Sequence, residues 1–245
     1  MSDEQVTIQT RDGACPAHVL TPAAEGAWPA VIFYMDGVGI RPTVIEMARR
    51  LAANGYVVLV PDMFYRYGPY APFDPKAVFA EGFRKVIGPL MATTGNDKAA
   101  SDTEGFLAYL DTRKDVAGSK IGTVGFCMGG GMAITAAGTF PDRVAAAISF
   151  HGGYLASDAD TSPHLLAPKI KADVYVAGAD DDDSYPPEMA ERLTKAFDEA
   201  GVTYKAEIYP GALHGWMKPD FPVYNEVAAE RGWREMLALF KRTLG

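Results

Sequence analysis

The chain has 245 residues, 48% of them hydrophobic and 22% charged, with a formal net charge of −8. That size suits one domain over residues 1–245 that buries its own core unaided. The acidic balance and the lack of Lys/Arg clusters argue against nucleic acid, and no apolar run approaches the ~20 residues of a membrane span.

The opening "MSDEQVTIQT" is acidic and polar and carries no secretory signature. With only two cysteines, Cys15 and Cys127, and no disulfide framework, a reducing cytoplasm is the expected compartment. Val6–Thr10 alternates like a strand, Arg11–Gly13 reads as a turn, and Ala14–Leu20 as a second strand. Pro16 predicts an edge position for it. Ala30–Met35 predicts a buried strand, Val44–Asn54 a helix stopped by Gly55, and Tyr56–Asp62 a continuous apolar strand. Residues 63–98, rich in aromatics, Pro and Gly, predict an irregular excursion over the end of the sheet, with a short helix near Lys76–Val86. A helix over Ala99–Leu110 and a strand over Lys120–Phe126 follow, then a helix over Met128–Thr139. The rest predicts strands at Val144–Phe150, Val174–Gly178 and Tyr204–Tyr209, with helices at Pro187–Ala200 and Tyr224–Leu244. This alternation predicts an α/β fold: a mostly parallel, twisted sheet of about seven to eight strands with helices on both faces. In such a sheet, functional groups gather at the carboxyl ends of the strands.

One of those ends reads G-F-C-M-G, with Cys127 between Gly125 and Gly129. A nucleophile on a sharp strand-to-helix turn needs small residues two before and two after it. The following helix offers its first N–H groups, Met128's among them, and a positive dipole end that favours thiolate. A small buried Cys at a tight corner is the plain alternative.

A nucleophile needs a base, and the base needs an orienting acid. Of four histidines, His18 precedes the nucleophile on the second strand and reads as structural or solvated. His164 lies in a polar loop and is expected to be exposed. His151 directly follows a strand. His214, in "YPGALHGW" after the last strand, stands where the base is expected. The acid should follow Val174–Gly178, where Asp180, Asp181, Asp182 and Asp183 stand in a row. Such a run lacks the alternation of a calcium loop, so no metal is expected.

Taken together, "GFCMGGG", "AGADDDDSYPPE" and "YPGALHGW" resemble the dienelactone hydrolase family of the α/β-hydrolase superfamily, and "GYVVLVPDMFYR" resembles the segment after that family's first crossover helix. The resemblance spans about Val6 to Leu244. It implies an α/β-hydrolase fold and hydrolysis of a carboxylic ester or lactone by a Cys–His–Asp triad, through a thioester acyl-enzyme. The nucleophile is then Cys127 and the base His214. The family's hydrophobic residue and Pro, three and four positions after the acid, match Tyr185 and Pro186 and select Asp182 over Asp180. The oxyanion would be held by the N–H of Met128 and a backbone N–H at Asp36. Arg66 and Lys218 stand where the family binds a substrate carboxylate with two arginines, and Lys lacks the bidentate fork. His151 stands where the family often has Tyr. The family's Glu after the Ala30–Met35 strand is absent. Asp36 is the nearby acid, either its replacement or a partner for Arg41. Tyr65, Arg66, Tyr67 and Tyr70 are expected to border the pocket, and Phe64 and Trp216 to pack. No cofactor is implied. The expected partner is a small-molecule ester or lactone, and the expected state a monomer or weak homodimer. The rivals are an esterase for a non-dienelactone ester, a non-catalytic binding protein on the same fold, and a redox sensor that would need Cys15 as resolving thiol.

Overall fold

A computed structural model describes residues 1–245. The strands are β1 (Ser2–Thr10), β2 (Gly13–Thr21), β3 (Trp28–Tyr34), β4 (Val57–Pro61), β5 (Val116–Phe126), β6 (Val144–Phe150), β7 (Asp173–Ala179) and β8 (Tyr204–Tyr209). They form one eight-stranded sheet in the order β1-β2-β4-β3-β5-β6-β7-β8. Only the β1–β2 and β2–β4 pairings are antiparallel. The helices are α1 (Pro42–Ala53), α2 (Pro75–Glu81), α3 (Phe83–Met91), α4 (Asn96–Asp111), α5 (Met128–Thr139), α6 (Pro187–Ala200) and α7 (Glu226–Leu244), with a 3₁₀ helix at Pro163–Lys169.

The inner parallel strands are apolar on both faces, and each face feeds its own core. In β3, Ala30, Ile32 and Tyr34 join one cluster, whereas Val31 and Phe33 join the other. This is the period-2 alternation of a strand covered on both sides. α4, α5 and α6 supply the first cluster, and α1 and α7 the second. The strand order reverses around β3, which pairs with β4 on one side and β5 on the other. Tyr34 is in register with Gly125, so the segment after β3 emerges beside the segment after β5. That reversal is where an open parallel sheet leaves a crevice.

Several expectations are adjusted. β2 is internal rather than an edge: Pro16 pairs with β1 on one side, and on the other, just past the end of the β2–β4 ladder at Ala17–Pro61, its carbonyl accepts from the Asp62 N–H at 2.9 Å. The short helix expected near Lys76–Val86 is two helices, because Gly82 at φ 100° breaks the run. Asp74 caps α2 by accepting from the Lys76 N–H. The 3₁₀ helix has no apolar periodicity to announce it, and Pro163 and Pro168 suit its short, tight turns.

The excursion is anchored by a fully buried carboxylate. Asp102 on α4 accepts from both Arg66 terminal nitrogens, at 2.7 and 2.9 Å, and from the Tyr65 hydroxyl at 2.9 Å. Arg66 also donates to Asp12 in the β1–β2 turn, at 2.7 and 3.0 Å. Further along, Tyr70 donates to Asp62 at 2.8 Å. Replacing Asp102 by Ala should leave Arg66 with Asp12 alone and lower unfolding free energy by about 3 kcal/mol, read by urea denaturation.

Candidate active site

β5 ends at Phe126 and α5 begins at Met128, so Cys127 carries the whole reversal. Its φ is 56° and its ψ −119°, a conformation that costs a non-glycine residue roughly 1–3 kcal/mol. The neighbours hold it there. The Cys127 N–H donates to the Phe150 carbonyl at 3.1 Å, and the Gly130 N–H to the Cys127 carbonyl at 3.0 Å. Only glycine allows the approach. A Cβ on Gly125 would overlap the Gly129 carbonyl, and one on Gly129 would lie 2.5 Å from the Tyr34 and Met35 carbonyl oxygens. Cys127 is left partly exposed beside the first turn of α5, whose leading N–H groups have no intrahelical acceptor.

His214, on the loop after β8, lies beside this thiol, near enough for the two groups to interact electrostatically. Its Nδ1–H donates to Asp182 Oδ2 at 2.7 Å. The other Asp182 oxygen accepts from the Ser184 hydroxyl at 2.6 Å and the Ser184 N–H at 2.9 Å, so the carboxylate is clamped. Asp180 has a different job. Its Oδ2 accepts from the Gly211 N–H at 2.7 Å and its N–H donates to the Ala212 carbonyl at 2.8 Å, stitching the acid loop to the histidine loop. Burial alone would lower the His214 pKa. Its electrostatic interaction with Cys127 and the contacts with Asp182 outweigh it and push His214 up to about 10. Burial would raise Asp182, but its hydrogen bond and attraction to His214 hold it below the usual carboxylate range.

The structure assigns four expected substrate-binding residues to other tasks. Arg66 and Tyr65 are held by Asp102, and Tyr65 also bonds Thr10 at 2.7 Å. Their charge and hydroxyl are satisfied by Asp102, Asp12 and Thr10. Lys218 is fully buried, with Nζ 3.2 Å from Asp36 Oδ2 and 3.8 Å from the centroid of the Phe126 ring. His151 is fully buried at φ 39° and packs edge-on against His214, with ring centroids 5.3 Å apart. Neither of its ring nitrogens has a protein partner. Burial, with the charges of His214 and Lys218, drives its pKa well below 6.5, so it is a neutral wall behind the base. His164 is half-buried rather than exposed, because its Nδ1 meets the Ser162 hydroxyl at 2.8 Å.

Asp36 is fully buried and paired with Arg41, whose Nη1 donates to both its oxygens at 2.9 and 3.1 Å. Arg41 in turn donates to Asp220 at 2.6 and 3.1 Å. Lys218, Asp36, Arg41 and Asp220 thus form a neutral chain of alternating charge beneath the Cys127 turn. Burial pulls Lys218 down to about 8 in spite of Asp36. Burial would raise Asp36, but Lys218 and Arg41 keep it below the carboxylate range. Beyond Asp36, the Val38 N–H is taken by its side chain at 2.8 Å and the Gly39 N–H by its carbonyl at 3.0 Å. Those two N–H groups are therefore not available to an oxyanion. No group of three His, Cys, Asp or Glu side chains is arranged to hold a metal ion.

Sequence reasoning passed over Ser184 and Asp220. Ser184 had a faint signal, since a Ser two residues after an Asp is a common turn partner. Asp220 had none, being 179 positions from Arg41.

The family model for the dienelactone hydrolase family matches residues 15–244. The chain belongs to the dienelactone hydrolase family. It is therefore a hydrolase, and the eight-stranded sheet is the α/β-hydrolase fold of that family. A Synechocystis protein named "putative carboxymethylenebutenolidase" is 29% identical over 244 residues, covering 98% of this chain and 96% of its own. The crystal structure of a "putative dienelactone hydrolase" from Klebsiella pneumoniae superposes with a TM-score of 0.83 at 24% identity, over 98% of both chains. That of a dienelactone hydrolase-like promiscuous phosphotriesterase from metagenomic libraries gives 0.77 at 24% identity, over 99% and 98%.

Two outcomes are expected of the charges. Asp36→Ala leaves Arg41 and Lys218 buried without their shared partner and should destabilise the fold by about 3–5 kcal/mol in chemical denaturation. His214 is raised from 6.5 to about 10, so its contribution to stability is complete below pH 6.5 and is lost as pH rises through about 10. Asp182 is lowered from 3.8, so its contribution is present above pH 3.8 and is lost in acid. The Tm difference between wild type and His214→Ala should be widest near pH 5–6 and should shrink steadily toward pH 10.

Proposed function

We propose that this hydrolase cleaves a carboxylic ester or lactone through a Cys127–His214–Asp182 triad and a thioester acyl-enzyme. One observation carries the reading: His214 is hydrogen-bonded to the clamped carboxylate of Asp182 and lies beside Cys127, which sits on a strained Gly-flanked turn. The name of the Synechocystis relative, which denotes a butenolide-opening enzyme, supports the ester or lactone class.

Cys127 acts as thiolate beside a protonated His214. Its sulfur attacks the ester carbonyl, forming the C–S bond and moving charge onto the carbonyl oxygen. The N–H of Met128 and one in the Asp36–Gly37 segment receive that charge, each donor contributing roughly 3 kcal/mol. Collapse breaks the C–O bond, and His214 gives its proton to the departing alkoxide. The acylated sulfur no longer carries the negative charge that raised His214, so the imidazole becomes a competent base. It takes a proton from water, the resulting hydroxide attacks the thioester, and the acid leaves. Collapse of that adduct breaks the C–S bond and releases Cys127 as thiolate, while the proton taken from water stays on His214, which restores the imidazolium–thiolate pair. Asp182 fixes the Nδ1–H tautomer throughout. Both cysteines are free, which accords with a reducing compartment such as the cytoplasm. Cys15 is fully buried and its thiol is pushed far up by burial, an unsuitable resolving thiol.

Cys127→Ala should lower kcat/KM on a 4-nitrophenyl ester at least roughly 10³-fold and abolish the covalent adduct seen by intact-protein mass spectrometry. Equal rates in the two proteins would overturn the nucleophile. Asp182→Asn should cost roughly 10³-fold in kcat, whereas Asp180→Asn, which removes only a loop tie, should stay within about tenfold of wild type.

A further inference from the structure

Beside the Cys127 turn lies a cavity of about 380 Å³ between α3, the start of α4, the first turns of α5 and the segment 153–162. Met91, Met128 and Met132 give it apolar walls, and Thr94, Asn96 and Tyr154 give it neutral polar ones. No residue lining it carries a charge. Met128, the residue after Cys127 and the first of α5, forms one of its walls, so the cavity adjoins the nucleophile turn.

The nearby cations face elsewhere. Lys218 is buried against Asp36, and Arg66 is held by Asp102 and Asp12. Lys98 donates to the Thr93 carbonyl at 3.1 Å, and Arg192 to the Ala156 carbonyl and Asp158. A second cavity, behind the acid loop, is lined by Asp180–Asp183 and Glu191 and would repel an anion. A carboxylate brought to this site would shed water and find no counter-charge.

We propose that the 380 Å³ cavity receives the acyl chain of an uncharged ester, and that the enzyme discriminates against substrates carrying a carboxylate on that chain. This rests on the hydrolytic reading above and narrows its substrate class. Three methionines suit it to flexible aliphatic chains of varied shape.

The test compares 4-nitrophenyl valerate with 4-nitrophenyl hemiglutarate, which have the same chain length but a methyl or a carboxylate at the tip. In parallel, NMR titration reads binding of the matching anilides, valeranilide and glutaranilic acid, which need no turnover. Both are run on wild type and on Met91→Arg, which places a cation in the wall on a half-buried helical side chain. In wild type the neutral ester should lead in kcat/KM, and the neutral anilide in affinity, by roughly 10- to 100-fold at about 0.15 M salt. In Met91→Arg the gap should narrow at least about fivefold through a gain on the anionic partner. A wild-type anilide gap below about twofold, an anionic preference, or a gap that Met91→Arg leaves unmoved would overturn the proposal. If the anilides keep the gap while neither ester is cleaved, the hydrolytic reading fails and the cavity's preference stands.

Discussion

The closeness of backbone to backbone at the start of α5 is the constraint from which the site follows. Gly125 and Gly129 let the helix begin against the ends of β3 and β5 with no side chain between. That contact forces Cys127 into its positive φ, lifts its thiol out of the sheet and sets the first helical N–H groups beside the loop after β3. The register of Tyr34 with Gly125 is part of the same geometry. The local strain persists because two well-packed apolar layers fix the strands on either side.

Charge is used in two ways within a small region. At the site, His214 and Asp182 are coupled to a partly exposed sulfur whose charge comes and goes during the proposed reaction, so the His214 pKa moves with it. Beneath the turn, Lys218, Asp36, Arg41 and Asp220 neutralise one another in a fixed chain. A buried chain of this kind stabilises little in net terms, but it is costly to break, which makes it suited to holding the β3 loop in one conformation. Its cations are thereby withdrawn from any ligand. Neutral, fully buried His151 completes the separation by filling the space behind the base without adding charge.

The sequence by itself determined the layered architecture. Apolar runs marked the central strands at Ala30–Met35, Tyr56–Asp62, Val144–Phe150 and Val174–Gly178, because strands covered on both faces must be continuously apolar. The order of Cys127, the Asp run and His214 at successive strand ends was legible because the topology brings those ends together. The Gly-x-Cys-x-Gly spacing was legible because it is the trace of a steric requirement.

Tertiary structure alone decided which charges are free. Lys218 and Arg66 occupy positions where the family resemblance placed a substrate carboxylate, yet Asp36, Asp102 and Asp12 hold them. A local pattern reports which element a side chain belongs to, but not what distant carboxylate folds against it. The same holds among four adjacent aspartates. Asp182 faces His214 and Asp180 faces Gly211 because the turn after β7 points successive side chains in different directions. Pairings across 32, 36 or 179 positions exist only once the sheet has closed, which is why the chemistry of the turn was readable in the sequence and its electrostatic surroundings were not.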